Sequence, residues 1–151
     1  FMIQRIQSLF LLGVVILSIV LMYVPVYELV NENVPLTPPD GTEVANTTFT
    51  IFNSAILAII NGAVCALALV SIFLYKNRNL QVRAINLALL LTCGLIGLLF
   101  FSADSMSTTL QAKVHYLYGT YIPVILAIFL FAAIRYIKRD EALVRSADRL
   151  R

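Results

Sequence analysis

Four long apolar stretches dominate this sequence and restrict the solvent in which it can fold. They run over residues 6–26, 49–75, 84–103 and 116–137. At about 1.5 Å per residue, each reaches about 30 Å, the thickness of a bilayer's hydrocarbon core. Backbone polar groups inside lipid must be satisfied within the segment, so each stretch should be helical. The sequence therefore predicts an all-α, integral membrane four-helix transmembrane bundle, a single domain over residues 1–151.

Composition supports a membrane environment over an aqueous one. Hydrophobic residues make up 60% of the chain and charged residues 13%, whereas soluble domains average about 45–50% and about 25%. A water-soluble fold of this composition would expose large apolar patches and aggregate. The first stretch is too long for a signal-peptide core and lacks a small-residue cleavage site, so we expect a retained span.

The cations predict the orientation of the bundle. Ten of the eleven Lys and Arg residues lie in the N-terminal segment, in the 76–83 loop or after residue 134. The remaining one, Lys113, lies in the loop between the third and fourth spans. By the positive-inside rule both termini should be cytoplasmic, in a bacterial inner membrane. The basic face carries a net charge of plus seven and the opposite face minus four. These cations then serve as topological anchors that attract anionic lipid, and no nucleic-acid partner is expected.

Two segments outside the spans have recognisable patterns. The outer loop, residues 27–48, contains "NVPLTPPDGTEVANTT" and predicts a turn-rich connection, with a short cap or hairpin as an option. The tail, residues 138–151, predicts a helix continuing from the fourth span, with Glu141 four residues before Arg145. Such a basic amphipathic helix would lie on the membrane, dock a partner, or simply end in solvent.

Few residues predict catalysis or cofactor binding. Cys65 and Cys93 fall mid-span without a CxxC motif, and we interpret both as small buried residues. His115 is the only histidine, so the sequence has no histidine cluster for a metal or haem, and no cofactor is expected. A weak hypothesis is that His115 and nearby carboxylates form an enzyme or metal site at the outer face. The carboxylates nearest to His115 in this hypothesis are Glu28 and Asp104. The carboxylates of the first outer loop match no calcium-loop spacing; they are Glu28, Glu32, Asp40 and Glu43.

Uncharged polar and small residues inside the spans predict helix contacts. Asn61, Asn86 and Thr92 are expected to make interhelix hydrogen bonds, or alternatively to line a cavity for a lipid or small solute. The small residues Ala58, Gly62 and Ala66, together with Gly94 and Gly97, predict close helix approach. Pro123 predicts an unpaired Gly119 carbonyl and a kink in the fourth span.

The two ends of the chain resemble a known family. "MIQRIQS" at residues 2–8 and "KRDEALVRSADRLR" at residues 138–151 are similar to the ends of a family of small four-span bacterial inner-membrane proteins. It is the domain-of-unknown-function family numbered 4293, found chiefly in Bacteroidota. The resemblance implies a fold and a location but no reaction.

Both recognisable segments should lie on the cytoplasmic face, which suggests a docking surface. Arg5, Gln4 and Gln7 would meet Asp140, Glu141 or Asp148, closing the first and fourth spans together, and Arg145 and Arg149 would extend this surface. The leading hypothesis is a non-enzymatic accessory or scaffold subunit, or a small homo-oligomer. Its partners would be membrane lipid and other membrane subunits or itself. The alternatives are a channel or carrier for a lipid or small solute and, more weakly, a membrane enzyme with a site at the outer face.

Overall fold

A computed structural model describes residues 2–30 and 46–149, and side chains within 6–30 and 48–147. Four helices form the bundle: α1, Met2–Tyr23; α2, Ala55–Phe73; α3, Arg78–Leu110; and α4, Ile122–Arg149. In the described ranges these four helices are long and apolar enough to cross a membrane. Each packs against two neighbours in the ring α1–α2–α3–α4. The predicted four-helix transmembrane bundle is therefore confirmed.

A small antiparallel sheet covers one end of the bundle, which we name the sheet end. Its strands are β1, Pro25–Val30, β2, Asn46–Thr50, and β3, Lys113–Tyr116, in the order β2-β1-β3. The sequence analysis allowed a hairpin in the first loop, but it did not predict that the second loop supplies a third strand. The opposite end contains the turn between α2 and α3 and the end of α4, and we name it the basic end.

The sheet changes where two of the spans begin. Phe49 and Thr50 belong to β2, and a 3₁₀ turn at Ile51–Asn53 precedes α2, so the predicted start of the second span at residue 49 is wrong. Tyr116 likewise belongs to β3, and a 3₁₀ turn at Tyr118–Tyr121 precedes α4. Strand pairing satisfies backbone groups at these positions, which makes helix unnecessary there. The third helix instead extends beyond the predicted 84–103 at both ends.

Pro123 does not kink a span, contrary to the prediction. It is the second residue of α4, where helix N–H groups have no intrahelical partner. The Gly119 carbonyl accepts a hydrogen bond from the Ile122 N–H. Gly119 also lies against β1, since a Cβ added there would approach the Pro25 carbonyl oxygen at 2.4 Å. This glycine lets the start of α4 pack directly on the sheet.

The bundle interior is narrow and contains small and polar residues among larger apolar ones. On α2 the buried side chains are Leu57, Asn61, Val64, Ala68 and Ser71. They recur at alternating intervals of four and three residues, which is the spacing of left-handed helix packing. The buried residues of α3 follow the same spacing from Gln81 to Leu99, and Ala103 comes after a second interval of four. The lipid-facing positions between them are equally apolar, so hydropathy does not distinguish the two faces.

Candidate functional site: the basic end of the bundle

The last part of α4 extends beyond the bundle as a continuous helix. Ile137 is buried, whereas Lys138 and Arg139 are exposed, and every described side chain from residue 142 to residue 147 is exposed. Residues 138–149 rise about 18 Å along the helix axis. We name this segment the α4 tail. It carries cations and exposed apolar side chains.

The α4 tail is attached to the bundle at its base by an ion pair. Arg78 Nη2 lies 2.9 Å from Asp140 Oδ2, and both side chains are partly buried. Arg78 is the first residue of α3, so the pair connects the α2–α3 turn to α4. Partial burial reduces screening by water and salt, and a charge-assisted hydrogen bond of this length is directional. This contact fixes the direction in which the tail leaves the bundle.

The predicted Glu141–Arg145 pair is present in the tail. Arg145 Nη2 donates to Glu141 Oε1 at 2.7 Å, one helical turn apart. The arginine is largely exposed, so the pair supports the helix by only a few tenths of a kcal/mol. Beside it, Leu143 and Val144 are 50% and 45% exposed. The tail therefore presents an apolar strip, Leu143, Val144 and Ala147, with cations around it.

The predicted docking surface between the first and fourth spans depends mostly on side chains outside the described residues, and it stays a prediction. Asp140 pairs with Arg78 and Glu141 with Arg145. Gln7 is buried, and in the described part of the chain its Nε2 has no hydrogen-bond partner. The Gln4, Arg5, Asp148 and Arg149 side chains lie outside the described residues. Aromatic packing also joins α1 to α4 near this end, where the rings of Phe10 and Tyr136 stack at 5.4 Å.

A polar layer inside the basic end joins α2 to α3. Gln81 Nε2 donates to the Ser71 carbonyl oxygen at 3.1 Å, and Ser71 Oγ donates to the Leu67 carbonyl oxygen at 2.7 Å. Both side chains are buried. The burial of Gln81 was not predicted, because this glutamine lies within the charged 76–83 loop and looks like a surface residue in the sequence. Its spacing of four residues before the buried Ile85 is the signal that places it inside.

The three residues proposed to line a cavity do not all lie inside the bundle. Asn61 is buried and donates from Nδ2 to the Ser18 carbonyl oxygen of α1 at 2.9 Å, an interhelix contact. Thr92 is buried but bonds its own helix, from Oγ1 to the Ala88 carbonyl oxygen at 2.8 Å. Asn86 is exposed on the outside of α3. These residues do not form a common polar lining.

Several small residues that were predicted to be buried or to lie at helix contacts are on the outer surface of the bundle. Cys93 is exposed, so its interpretation as buried is wrong, while Cys65 is half-buried. A Cβ added at Gly94 or Gly97 would meet no atom of the described residues within 4 Å, so in this part of the chain neither glycine is needed for a close helix approach. The close approach occurs at Gly13, which sequence reasoning missed: a Cβ there would lie 2.8 Å from Phe129 Cε2. Gly13 thus sets the separation of α1 and α4.

The sheet end brings together two of the residues on which the weak hypothesis of an outer-face site depends. Glu28 on β1 lies opposite His115 on β3 in the strand register. Asp104 is exposed on α3, and Glu32, Asp40 and Glu43 lie outside the described residues. Within residues 2–30 and 46–149 no group of three His, Cys, Asp or Glu side chains is arranged to hold a metal ion. One acid and one imidazole therefore occupy neighbouring positions on adjacent strands.

Sequence comparison identifies the family. The family model described as Domain of unknown function (DUF4293) matches residues 3–150. The chain belongs to the DUF4293 family. Neither the curated proteins nor the solved structures contain a significant match to it. The DUF4293 match covers α1 through α4 and includes both the sheet and the α4 tail, so family membership describes the whole bundle.

Proposed function

We propose that this protein is a non-enzymatic accessory subunit of a membrane assembly, and that it binds its partner through the α4 tail. The observation that carries this proposal is the continuity of α4 from the membrane-spanning part into an exposed tail. A helix that turned onto the membrane surface would need a break near Ile137. An unbroken helix instead presents Leu143, Val144 and Ala147 to the aqueous phase, where apolar side chains favour burial against another protein.

The Arg78–Asp140 ion pair supports this proposal because it holds the base of the tail. Binding by a preoriented helix requires less ordering than binding by a flexible one, which increases affinity without additional contacts. The exposed cations Lys138, Arg139 and Arg145 favour a partner with an acidic surface around an apolar groove. A second copy of this chain is the alternative partner.

We propose the bacterial inner membrane as the location, with both termini in the cytoplasm. The distribution of cations supports this orientation, since the basic end contains the exposed Lys76, Arg83, Lys138 and Arg139. In a background with Cys65 and Cys93 replaced by alanine, we expect Ser146→Cys to react with a membrane-impermeant maleimide only after permeabilisation. Thr108→Cys, near the sheet end, should react in intact cells. The reverse pattern would contradict the orientation.

Co-purification from native membranes tests the role of the tail. The protein would be extracted in mild detergent, and its partners identified by mass. We expect Leu143→Glu to lose the partner, because the new charge would be buried in the contact. The matched control is Ala142→Glu, which adds the same charge on the opposite side of the tail helix and should retain the partner. An unchanged partner in Leu143→Glu, or a lone monomer in the unmodified protein, would contradict the proposal.

The second candidate, a carrier or channel, rested on a lining by Asn61, Asn86 and Thr92. Asn61 Nδ2 and Thr92 Oγ1 already donate to backbone carbonyls, and Asn86 faces outward, which leaves Asn61 Oδ1 as the single unpaired buried atom of the three side chains among the described residues. A conducting path needs polar groups that are free to exchange partners with the solute. These placements give the carrier less support than the tail gives the accessory subunit.

A further inference from the structure

A groove opens between the beginning of α2 and the last third of α3, next to the sheet. It has two adjoining chambers of about 150 Å³ and about 260 Å³, which share Ser54, Leu57, Ser102 and Met106 as lining. We name it the α2–α3 groove. None of the contacts described above uses it, and it lies at the opposite end of the bundle from the α4 tail.

The inner chamber extends beneath the sheet and is mostly apolar. Tyr27 of β1 and Phe49 of β2 stack at 5.1 Å and form part of its wall. Leu57 and Leu99, both buried, line it from α2 and α3. Tyr27 supplies the one phenol in this wall, and the Ser102 hydroxyl beside the chamber donates to the Leu99 carbonyl oxygen of its own helix. This chamber suits a hydrocarbon chain better than a polar solute.

The outer chamber opens sideways toward lipid. Its mouth includes Ile56, which is 63% exposed, and Phe101, which is 70% exposed. Both residues belong to helices that are apolar enough to span a membrane. Within a bilayer the mouth is therefore in contact with lipid chains, and a chain can enter the groove without leaving the hydrocarbon phase.

The groove is polar at one end and apolar at the other. Ser102 lies eighteen residues after Ala84, the start of the uncharged part of α3, and this separation is about 27 Å along the helix. Since the hydrocarbon core is about 30 Å thick, Ser102 and Ser105 lie near the level of lipid ester groups. Leu98 and Leu57 line the deeper part. A phospholipid has the same order of polarity along its length.

Two polar groups at this end are suited to a lipid ester. Ser54 is the N-cap of α2, yet its side chain makes no capping hydrogen bond. Asn53 accepts hydrogen bonds at Oδ1 from both the N–H and the hydroxyl of Thr50, which turns the Nδ2 donor away from that loop. A hydroxyl and an amide N–H are both donors that an ester carbonyl can accept.

We propose that the α2–α3 groove binds a membrane phospholipid, with an acyl chain in the two chambers and the ester region beside Asn53 and Ser54. A chain seated there would fill volume between α2, α3 and the sheet. The bound lipid would thus connect the sheet to the bundle as a structural ligand, in the leaflet at the sheet end.

Native mass spectrometry of the full chain, purified in mild detergent, tests this proposal. We expect a mass increment of a single phospholipid that survives detergent exchange. Ser105→Trp would fill the outer chamber from an exposed position, and it should lose the increment. The control Thr108→Trp places the same side chain one turn away on α3 and should keep it. Retention in Ser105→Trp, no phospholipid on the unmodified protein, or an isoprenoid mass in its place would overturn the proposal.

A second measurement does not depend on the stability of Ser105→Trp. The chain contains no tryptophan, so Phe101→Trp introduces a single fluorophore at the mouth of the groove, and Leu90→Trp introduces one on α3 outside it. In detergent, about one equivalent of phosphatidylethanolamine with a brominated acyl chain should quench the first fluorophore much more than the second. Equal quenching of the two variants would overturn the proposal.

Discussion

Arg78 and Asp140 join the turn before α3 to the base of the α4 tail, at 2.9 Å between Nη2 and Oδ2. The two residues are far apart in sequence, and each lies at the point where its helix leaves the apolar region. The pair therefore couples the position of the α2–α3 turn to the direction of the tail. Through this ion pair the α4 tail is held in one orientation relative to the bundle.

Removing this ion pair should loosen the tail. We expect Arg78→Ala to lower the free energy of unfolding by about 1 kcal/mol, because a partly buried carboxylate loses its cation. Thermal unfolding in detergent, followed by circular dichroism, measures the change. Lys76→Ala removes an exposed cation from the same turn and should have little effect. The reversed pair, Arg78→Asp with Asp140→Arg, should recover part of the loss; no recovery would mean that Arg78 acts by another route.

Gly13 should tolerate substitution less well than Gly94. A Cβ at Gly13 would lie 2.8 Å from a ring atom of Phe129, whereas a Cβ at Gly94 would meet nothing within 4 Å. We expect Gly13→Ala to destabilise the bundle by about 1–3 kcal/mol, because the aromatic ring must move against packed neighbours. Gly94→Ala should be neutral or stabilising by up to about 1 kcal/mol, from helix propensity. Unfolding by denaturant in detergent compares them, and equal losses would argue against this close approach.

Substitutions of Asn61 should show whether water enters the bundle interior. Its Nδ2 is bonded to Ser18, but within the described residues Oδ1 has no partner. Asn61→Leu should therefore change stability by less than about 1 kcal/mol, since it removes an unsatisfied acceptor together with the hydrogen bond. Asn61→Asp should destabilise the bundle by about 2 kcal/mol or more at pH 7 and recover in acid, where the carboxyl is neutral. A neutral effect of Asn61→Asp at pH 7 would indicate a hydrated interior.

Tyr27 should make stability fall at high pH. Burial raises the pKa of its phenol above the ordinary value of 10.0, the Ser102 hydrogen bond lowers that pKa, and Tyr116 raises it. A raised pKa means that the folded state favours the neutral phenol, so its contribution is complete below pH 10 and is lost as the pH rises through the folded value. Tyr27→Phe should show a smaller loss above pH 10 than the unmodified protein. The control Tyr23→Phe, which changes an exposed ring, should lose as much stability above pH 10 as the unmodified protein does.

Sequence patterns predicted the helices well because membrane insertion depends on length and hydropathy alone. The uncharged run over residues 84–103 must be helical in lipid, whatever it packs against. The same reasoning failed at Phe49 and Tyr116, where apolar residues form strands in place of helix. Their partner strand, β1, lies distant in sequence, and pairing between remote segments leaves no local signal. Hydropathy also could not show that Gly13, rather than Gly94, lies at a helix contact.

The candidate sites were predicted only in part, for the same reason. The Glu141–Arg145 spacing is a local property of one helix and was correct. The pairing of Asp140 with Arg78 was not predicted, because Arg5, Gln4 and Gln7 were the residues expected near the tail carboxylates. Gln81 looked like a loop residue and is buried. Each of these outcomes depends on which helices are neighbours, a property that no single segment contains.

The sequence by itself determined the number of crossings and the end of the bundle that carries the cations, because both follow from the free energy of transferring each segment between water and oil. Only the tertiary structure decided which apolar face turns inward, which glycine admits a neighbouring ring, and that a groove remains open between α2 and α3. In lipid both faces of a helix are equally apolar, so packing between particular side chains makes that choice.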